Sequence, residues 1–304
     1  MLSLKKEDYD STSFIKKMKS YIICLRPWSF TASFMSVLLG TAMAWKSREN
    51  FDLLRLMLTL LAVLATHAAG NLVNTLFDYK NGIDTTTSDD KTLVKKTLTP
   101  REVRILIYIC YEVAIASYIV ICLGYPSISP MKIFPTFLTG MAASFIYTGS
   151  IGLKYIALGD LVVFIAFGPV ITLFTYAVQT GELSMQCVSM ALPLAFHTEA
   201  ILHGNNIRDL ETDKNAGIVT MAILLGMKNA RLVYTLLLIL PYIMISFMAP
   251  FHSAFLLFPL LSLPLACRLN FDCYHGNLQE IPQKTAMVNL VFGILYVCGL
   301  ALAK

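Results

Sequence analysis

Of the chain's 304 residues, 56% are drawn from AVILMFWYC, with 16 glycines besides, and only 14% are charged. Soluble domains run at roughly 45–50% on that apolar set with glycine counted, and at about 25% charged. Together with a mean hydropathy of +0.65, this excludes a disordered chain, a coiled coil, a disulfide scaffold and almost any soluble enzyme, and it describes a polytopic membrane protein.

The first 20 residues (1–20) are polar, carry Lys5, Lys6, Lys16, Lys17 and Lys19, and read as a cytosolic N-terminal segment. The apolar stretch that opens at Tyr21 is too long for a signal-peptide core and has no small-residue cleavage pattern, so it reads as the first span. A spanning helix needs about 20 mostly apolar residues. Nine windows qualify: 21–45, 52–77, 105–124, 132–148, 157–178, 184–203, 229–250, 251–267 and 285–303. Pro250 helps to divide the seventh from the eighth. The expected architecture is therefore all-α and transmembrane, with one domain over 21–304. The seven cysteines form no C-x-x-C pair and read as small core residues, with neither a disulfide nor a zinc role.

If the nine windows alternate from a cytosolic N-terminus, 19 of the 24 Lys and Arg residues fall on the cytosolic side and five on the other. That is the bias the positive-inside rule predicts. The net charge of +5 then reports topology; cations scattered among short loops do not make a nucleic-acid surface. The acids are placed differently. Asp78, Asp84, Asp89 and Asp90 follow the second window, and Asp209, Glu211 and Asp213 follow the sixth, so seven of the 19 acids lie in two loops on the same expected side. Topology does not ask for this, because acids contribute little to it.

Both clusters have helical spacing. Asn74 and Asp78 stand four apart, about 40° around a helix, and Gly82 offers a helix stop that turns Asp84 back to the same mouth. Asn205, Asp209 and Asp213 also step by four. Each loop alone is ordinary solvated charge or a helix cap, but the duplicated pattern on one side predicts an oxygen-rich cage. Oxygen donors select hard cations, and Mg²⁺ prefers a few carboxylates together with substrate phosphates. Lys80, Lys91, Arg208 and Lys214 lie among the acids and suit the remaining phosphate oxygens. With no G-x-x-x-x-G-K-[ST] loop present, the pattern fits metal-bridged binding of a diphosphate rather than a P-loop nucleotide.

Other polar residues read less sharply. Lys154, alone in the short loop between the fourth and fifth windows, is either a topology-setting lysine or a phosphate ligand at the mouth. Glu199 lies inside the sixth window, where a charge costs about 2.5–3.5 kcal/mol on insertion scales, so it faces a cavity or is protonated and is a candidate for acceptor contact. His203, one turn before the second cluster, is either a structural histidine or the group that takes the acceptor's proton. His197, Glu199 and His203 lack a zinc spacing. Asp160 follows Gly159 at a helix start, where a dipole role competes with function.

At the two clusters the sequence resembles the UbiA superfamily of intramembrane prenyltransferases. The resemblance rests on N-L-V-N-T-L-F-D-Y-K-N-G-I-D (71–84) and N-N-I-R-D-L-E-T-D-K-N-A-G (205–217). The stretches S-D-D-K-T-L-V (88–94), Y-T-G-S-I-G-L-K-Y-I-A-L-G-D (147–160) and I-P-Q-K-T-A (281–286) are similar to the menaquinone-making branch of that family. The likeness implies a nine-helix bundle around a lipid-open cavity, Mg²⁺, geranylgeranyl diphosphate as donor and a naphthoquinol as acceptor. By position, Asn74, Asp78, Asp84, Asn206, Asp209 and Asp213 would hold the metal and diphosphate, with Asn205 competing with Asn206 for the leading role. Arg26, Lys154 and Arg208 would contact the diphosphate, and Tyr147 would line the reacting centre. Asp84 follows Asp78 by six positions, where many bacterial members use four, and this weakens the case for Asp84 as a direct ligand. An endoplasmic reticulum or Golgi location and a sterol-pathway reductase as partner enter through the resemblance alone. The rival readings are another aromatic acceptor such as hydroxybenzoate, and a non-catalytic prenyl-lipid carrier or transporter.

Overall fold

The computed structural model describes residues 17–48, 51–85, 91–276 and 278–303. Among these, the chain is predominantly helical, and its sole β-type pairing is an isolated parallel bridge between Ile156 and Val219. In chain order the long helices are α1 (Thr31–Arg48), α2 (Leu53–Lys80), α3 (Pro100–Gly124), α4 (Pro130–Ile146), α5 (Gly159–Thr180), α6 (Met185–Arg208), α7 (Met221–His252), α8 (Ala254–His275) and α9 (Ile281–Leu302). Seven stretches of the described chain, those built on α1, α2, α3, α5, α7, α8 and α9, are long and apolar enough to cross a membrane. The other two helices occupy the remaining expected windows. α4 has 17 residues, and α6 is diluted by His197, Glu199, His203 and two asparagines.

The boundaries move for identifiable reasons. The first window is not one helix. Residues 17–25 are helical, Pro27 bars an α conformation at the residue before it, and Arg26 takes a left-handed φ 51, ψ 57 ahead of a 3-10 turn at Pro27–Phe30. α3 starts five residues before its hydropathy window, because Thr99 and Glu102 form a capping box with Pro100 at the first helical position. α7 starts eight residues before its window, capped by Thr220, and is interrupted at Gly226, whose φ of 71 and ψ of 158 are not helical. The break between α7 and α8 falls at Ser253, with Pro250 inside the last turn of α7. α5 carries a π-helical turn at Ala166–Val170, where Pro169 sits inside the helix.

The largest core joins α1, α6, α7 and α9 through Met35, Leu39, Leu194, Tyr234, Phe292 and Tyr296. Two of its hydroxyls are paired internally, as an apolar surround favours: Tyr234 OH lies 2.6 Å from Thr285 Oγ1, and Tyr296 OH donates to the Met190 carbonyl at 3.0 Å. A second cluster around Val63, Ile121, Ile133 and Phe174 packs α2, α3 and α4 against α5. The outside is apolar too, with Leu123, Met131, Phe247, Phe251 and Leu261 all exposed, which is the surface of a chain whose solvent is lipid. Of the cysteines, Cys24, Cys187 and Cys273 are buried, but Cys267 and Cys298 lie on the outside and are not core residues.

Candidate active site

A cavity of about 580 Å³ opens between α2, α4, α5 and α6, within the size range of small-molecule sites. Its depth is apolar, lined by Val63, Phe137, Phe167, Ile171 and Phe174. All of its acids and most of its cations gather at the other end.

α2 supplies the first side of that end. Asn71, Asn74 and Asp78 fall on one helical face, and the helix stops at Lys80 so that Asp84, after Gly82 at φ 71, also lines the cavity. Asn74 is held from both sides: it accepts from Arg26 Nη1 at 2.9 Å and donates to Asp78 Oδ2 at 2.8 Å. The left-handed backbone at Arg26 costs on the order of 1–3 kcal/mol, and it aims the guanidinium into this network.

Asp78 is the hub. Lys154 Nζ donates to its Oδ2 at 2.7 Å and Tyr155 OH to its Oδ1 at 2.7 Å. Two consecutive residues reach one carboxylate because Leu153–Tyr155 is a 3-10 turn entered through Gly152 at φ 64. A Cβ at Gly152 would stand 2.5 Å from the Tyr155 ring, so the turn needs glycine for its space as well as its torsion. The same loop is tied to the second cluster. Ala157 N donates to the Val219 carbonyl at 2.7 Å, and Val219 N to the Tyr155 carbonyl at 3.1 Å.

The second side comes from the end of α6 and the short helix Leu210–Asn215. Asn205, Asn206, Arg208, Asp209 and Asp213 all line the cavity. Both asparagines do so, and geometry does not choose between them. Arg208 grips Asp209 with Nε to Oδ1 at 2.8 Å and Nη2 to Oδ2 at 2.6 Å. Asp213 is buried, and burial pushes its carboxyl up to about 6; the charges of Asp209 and Asp78 add to the rise while those of Lys154 and Arg208 oppose it.

Arg26, Asn74, Asp78, Asp84, Tyr147, Lys154, Asn205, Asn206, Arg208, Asp209 and Asp213 thus share one cavity. Several candidates from the sequence do not join them. Lys91 is half-buried outside the lining, and Glu199 and His203 are buried on α6 away from it. α6 turns Thr198, Ile201, Leu202 and Asn205 toward the cavity, which leaves Glu199 and His203 on another face. Neither is therefore placed for the acceptor contact expected of it. Lys80 lies over the Phe77 ring and, like Lys214, is not part of the lining. Asp89 and Asp90, and most of the N-terminal segment, lie outside the described residues.

The sequence did not single out Tyr155, Thr148 or His67. Thr148 Oγ1 accepts from Asn74 Nδ2 at 3.3 Å. His67 lines the cavity one to two turns before Asn71 and Asn74 on α2, bracketed by Ser29 and Ser33 hydroxyls at 3.2 and 2.9 Å. Its spacing from the first cluster on one helix was the available signal.

The sequence profile of the UbiA prenyltransferase family matches residues 33–302. The chain belongs to this family. A Xenopus tropicalis protein named UbiA prenyltransferase domain-containing protein 1 is 46% identical over 296 residues, covering 96% of this chain and 85% of the relative. The Homo sapiens protein of that name is 44% identical over 297 residues, covering 96% and 86%. In fold, this UbiA-family prenyltransferase is similar to a UbiA homolog from Archaeoglobus fulgidus bound to GPP and Mg²⁺. That match has a TM-score of 0.67 at 15% identity, over 92% of this chain and 99% of the other. A UbiA homolog from Aeropyrum pernix gives 0.69 at 16% identity, over 88% and 97%.

A hard divalent cation fits the site of this family member. The named residues of the two acidic faces offer carboxylate and carboxamide oxygens, and a carboxyl at Asp213 pushed up to about 6 by burial, with its acidic neighbours adding to the rise, is a group that gains from a cation. The sign of the pH dependence follows. Metal binds the carboxylate, so below about pH 6 a proton must leave Asp213 first. Mg²⁺ affinity is expected to be flat above about pH 7 and to fall by about tenfold per pH unit below 6. Titrations across that window check it, and an Asp213→Asn variant with the same slope would reject Asp213 as the group responsible.

Proposed function

We propose that this prenyltransferase moves a prenyl group, geranylgeranyl by preference, from its diphosphate to a naphthoquinol ring, the prenylation step of menaquinone formation. The observation that carries the reading is the convergence of both acidic faces and the Lys154 turn on one cavity whose far end is apolar. Asn74, Asp78, Asp84, Asp209, Asp213 and one of Asn205 and Asn206 would hold Mg²⁺. That ion, when bound, supplies Lewis-acid stabilisation of charge on the departing diphosphate.

The chain's own residues do the rest. Arg26, Lys154 and Arg208 bring fixed positive charge to the diphosphate oxygens, so C–O cleavage meets electrostatic stabilisation that is already in place. Lys154 exchanges its bond to Asp78 for one to phosphate. The bond pair leaves with the diphosphate, and the remaining allylic cation lies among Tyr147 and the apolar wall, where water is scarce and aromatic faces attract it. The electron-rich ring then forms the new C–C bond and loses a proton. No protein nucleophile is needed.

The 19-to-5 division of cations supports both acidic faces being cytosolic in an endomembrane, with residues 21–304 as one catalytic domain. A transporter is less well supported, because charges for that role belong near the midplane in broken helices, whereas these cluster at helix ends. The test is purified protein with Mg²⁺, geranylgeranyl diphosphate and a panel of aromatic acceptors, with products read by mass spectrometry. Prenylated naphthoquinol as the main product is expected. Prenylated hydroxybenzoate as the main product would replace this acceptor, and donor binding without any turnover would favour the carrier.

A further inference from the structure

Behind the cavity wall, Asp160 at the start of α5 meets Glu199 and His203 of α6. Their ligand atoms all lie within 4.8 Å of one another, and His203 Nδ1 is 3.2 Å from Asp160 Oδ1. None of the three lines the substrate cavity.

The donor count of this cluster does not balance. His203 Nε2 lies 3.0 Å from the Ala230 carbonyl, which can only accept, so that nitrogen carries the proton. In the neutral tautomer the ring turns the lone pair of Nδ1 toward Asp160. Glu199 is 5% exposed, and neither of its oxygens has a hydrogen-bond donor; the group beside it, Asp160, is itself an acceptor. Unless protons are taken up, two carboxylates and a nitrogen lone pair converge on one point between α5 and α6. An uncompensated arrangement of this kind is costly.

We propose that Asp160, Glu199 and His203 bind one divalent transition-metal ion of the Zn²⁺ class, at a site separate from the diphosphate site. Metal–ligand bonds of about 2.0–2.2 Å set ligand atoms roughly 3–4 Å apart, and the 3.2 Å His203–Asp160 edge already has that length. A ligating histidine usually donates its other N–H to a carbonyl or carboxylate, fixing the tautomer, and the Ala230 carbonyl does this. The imidazole nitrogen favours zinc and its neighbours over Mg²⁺, and three ligands are too few for Ca²⁺. The ion would neutralise both acids and pin the start of α5 to α6. Tyr147 lies against this corner, since a Cβ on Gly159 would stand 3.1 Å from its ring.

The detergent-purified full chain, stripped with chelator and desalted, is given a stoichiometric amount of zinc sulfate in excess Mg²⁺, and bound zinc is measured by mass spectrometry. The expected result is about one zinc per chain, retained by Asp78→Asn and falling by at least about tenfold in Glu199→Gln and in Asp160→Asn. A second measurement needs no variant: Co²⁺ added to the unaltered chain should give visible d–d bands that Zn²⁺ abolishes. Zinc retained equally by all variants would place it on thiols such as Cys267 and overturn the proposal. A chain that holds no zinc and gives no Co²⁺ bands would overturn it as well, and would leave a shared proton as the occupant. Neither readout uses turnover, so the prenyl-transfer reading can fail without affecting this one.

Discussion

Asp78→Asn should lower kcat by roughly a thousandfold or more while the protein stays folded and monodisperse in detergent. Asp78 is where Asn74, Lys154 and Tyr155 meet, so in the proposed mechanism it would both carry metal charge and fix the lysine that reaches the diphosphate. Asparagine keeps the volume and one acceptor oxygen but loses the charge. Lys154, partly exposed, can turn to water, which limits the cost in stability. Asp209→Asn separates the two effects more cleanly. That carboxylate is 38% exposed and its side-chain hydrogen bonds go to its neighbour Arg208, so asparagine, which keeps one acceptor for the guanidinium, should leave the fold intact, yet turnover should fall to a similar degree. Rates at saturating Mg²⁺ and melting curves on the same preparations decide the matter. A near wild-type rate in either variant would remove the two-face metal site.

The acidic faces were legible because their spacing is local. Asn74 with Asp78, and Asn205 with Asp209 and Asp213, are positions a helix repeats by geometry alone. Lys154 was half legible: its loop could be placed at the mouth, but its bond to Asp78 depends on the Gly152 turn and on the bridge to Val219, both tertiary facts. Glu199 and His203 show where the reading stopped. The charge of Glu199 inside a span demanded a polar partner, and the cavity was the obvious one. The partner is instead Asp160, 43 residues before His203 and on another helix, which no spacing rule could supply. Helix ends shifted where capping chemistry overrode hydropathy, as at the Thr99–Glu102 box before α3, and where Pro27 divided an apolar run that composition alone had left whole.

Removing the diphosphate from the donor should abolish transfer, whereas shortening its tail should only weaken it. The two ends of the cavity meet two different parts of the substrate. Arg26, Lys154 and Arg208 with the acidic faces can act only on the diphosphate, and a prenyl alcohol gives them no leaving group whose charge they could stabilise. The tail has no polar handle and would meet the apolar lining of Val63, Phe137, Phe167, Ile171 and Phe174. Its hold comes from burial, at about 0.8 kcal/mol per CH₂ against water. In a membrane the competing solvent is lipid, as apolar as the wall, so the loss on going from geranylgeranyl to farnesyl diphosphate should be a small fraction of that transfer value. kcat/KM measured across a chain-length series should therefore decline in graded steps, with KM rising more than kcat falls, because the reacting carbon and its diphosphate sit identically for every donor. An abrupt cutoff at one length would mean that the apolar end is closed and measures the tail. Efficient transfer from the alcohol would mean that the charged end does not drive the cleavage at all.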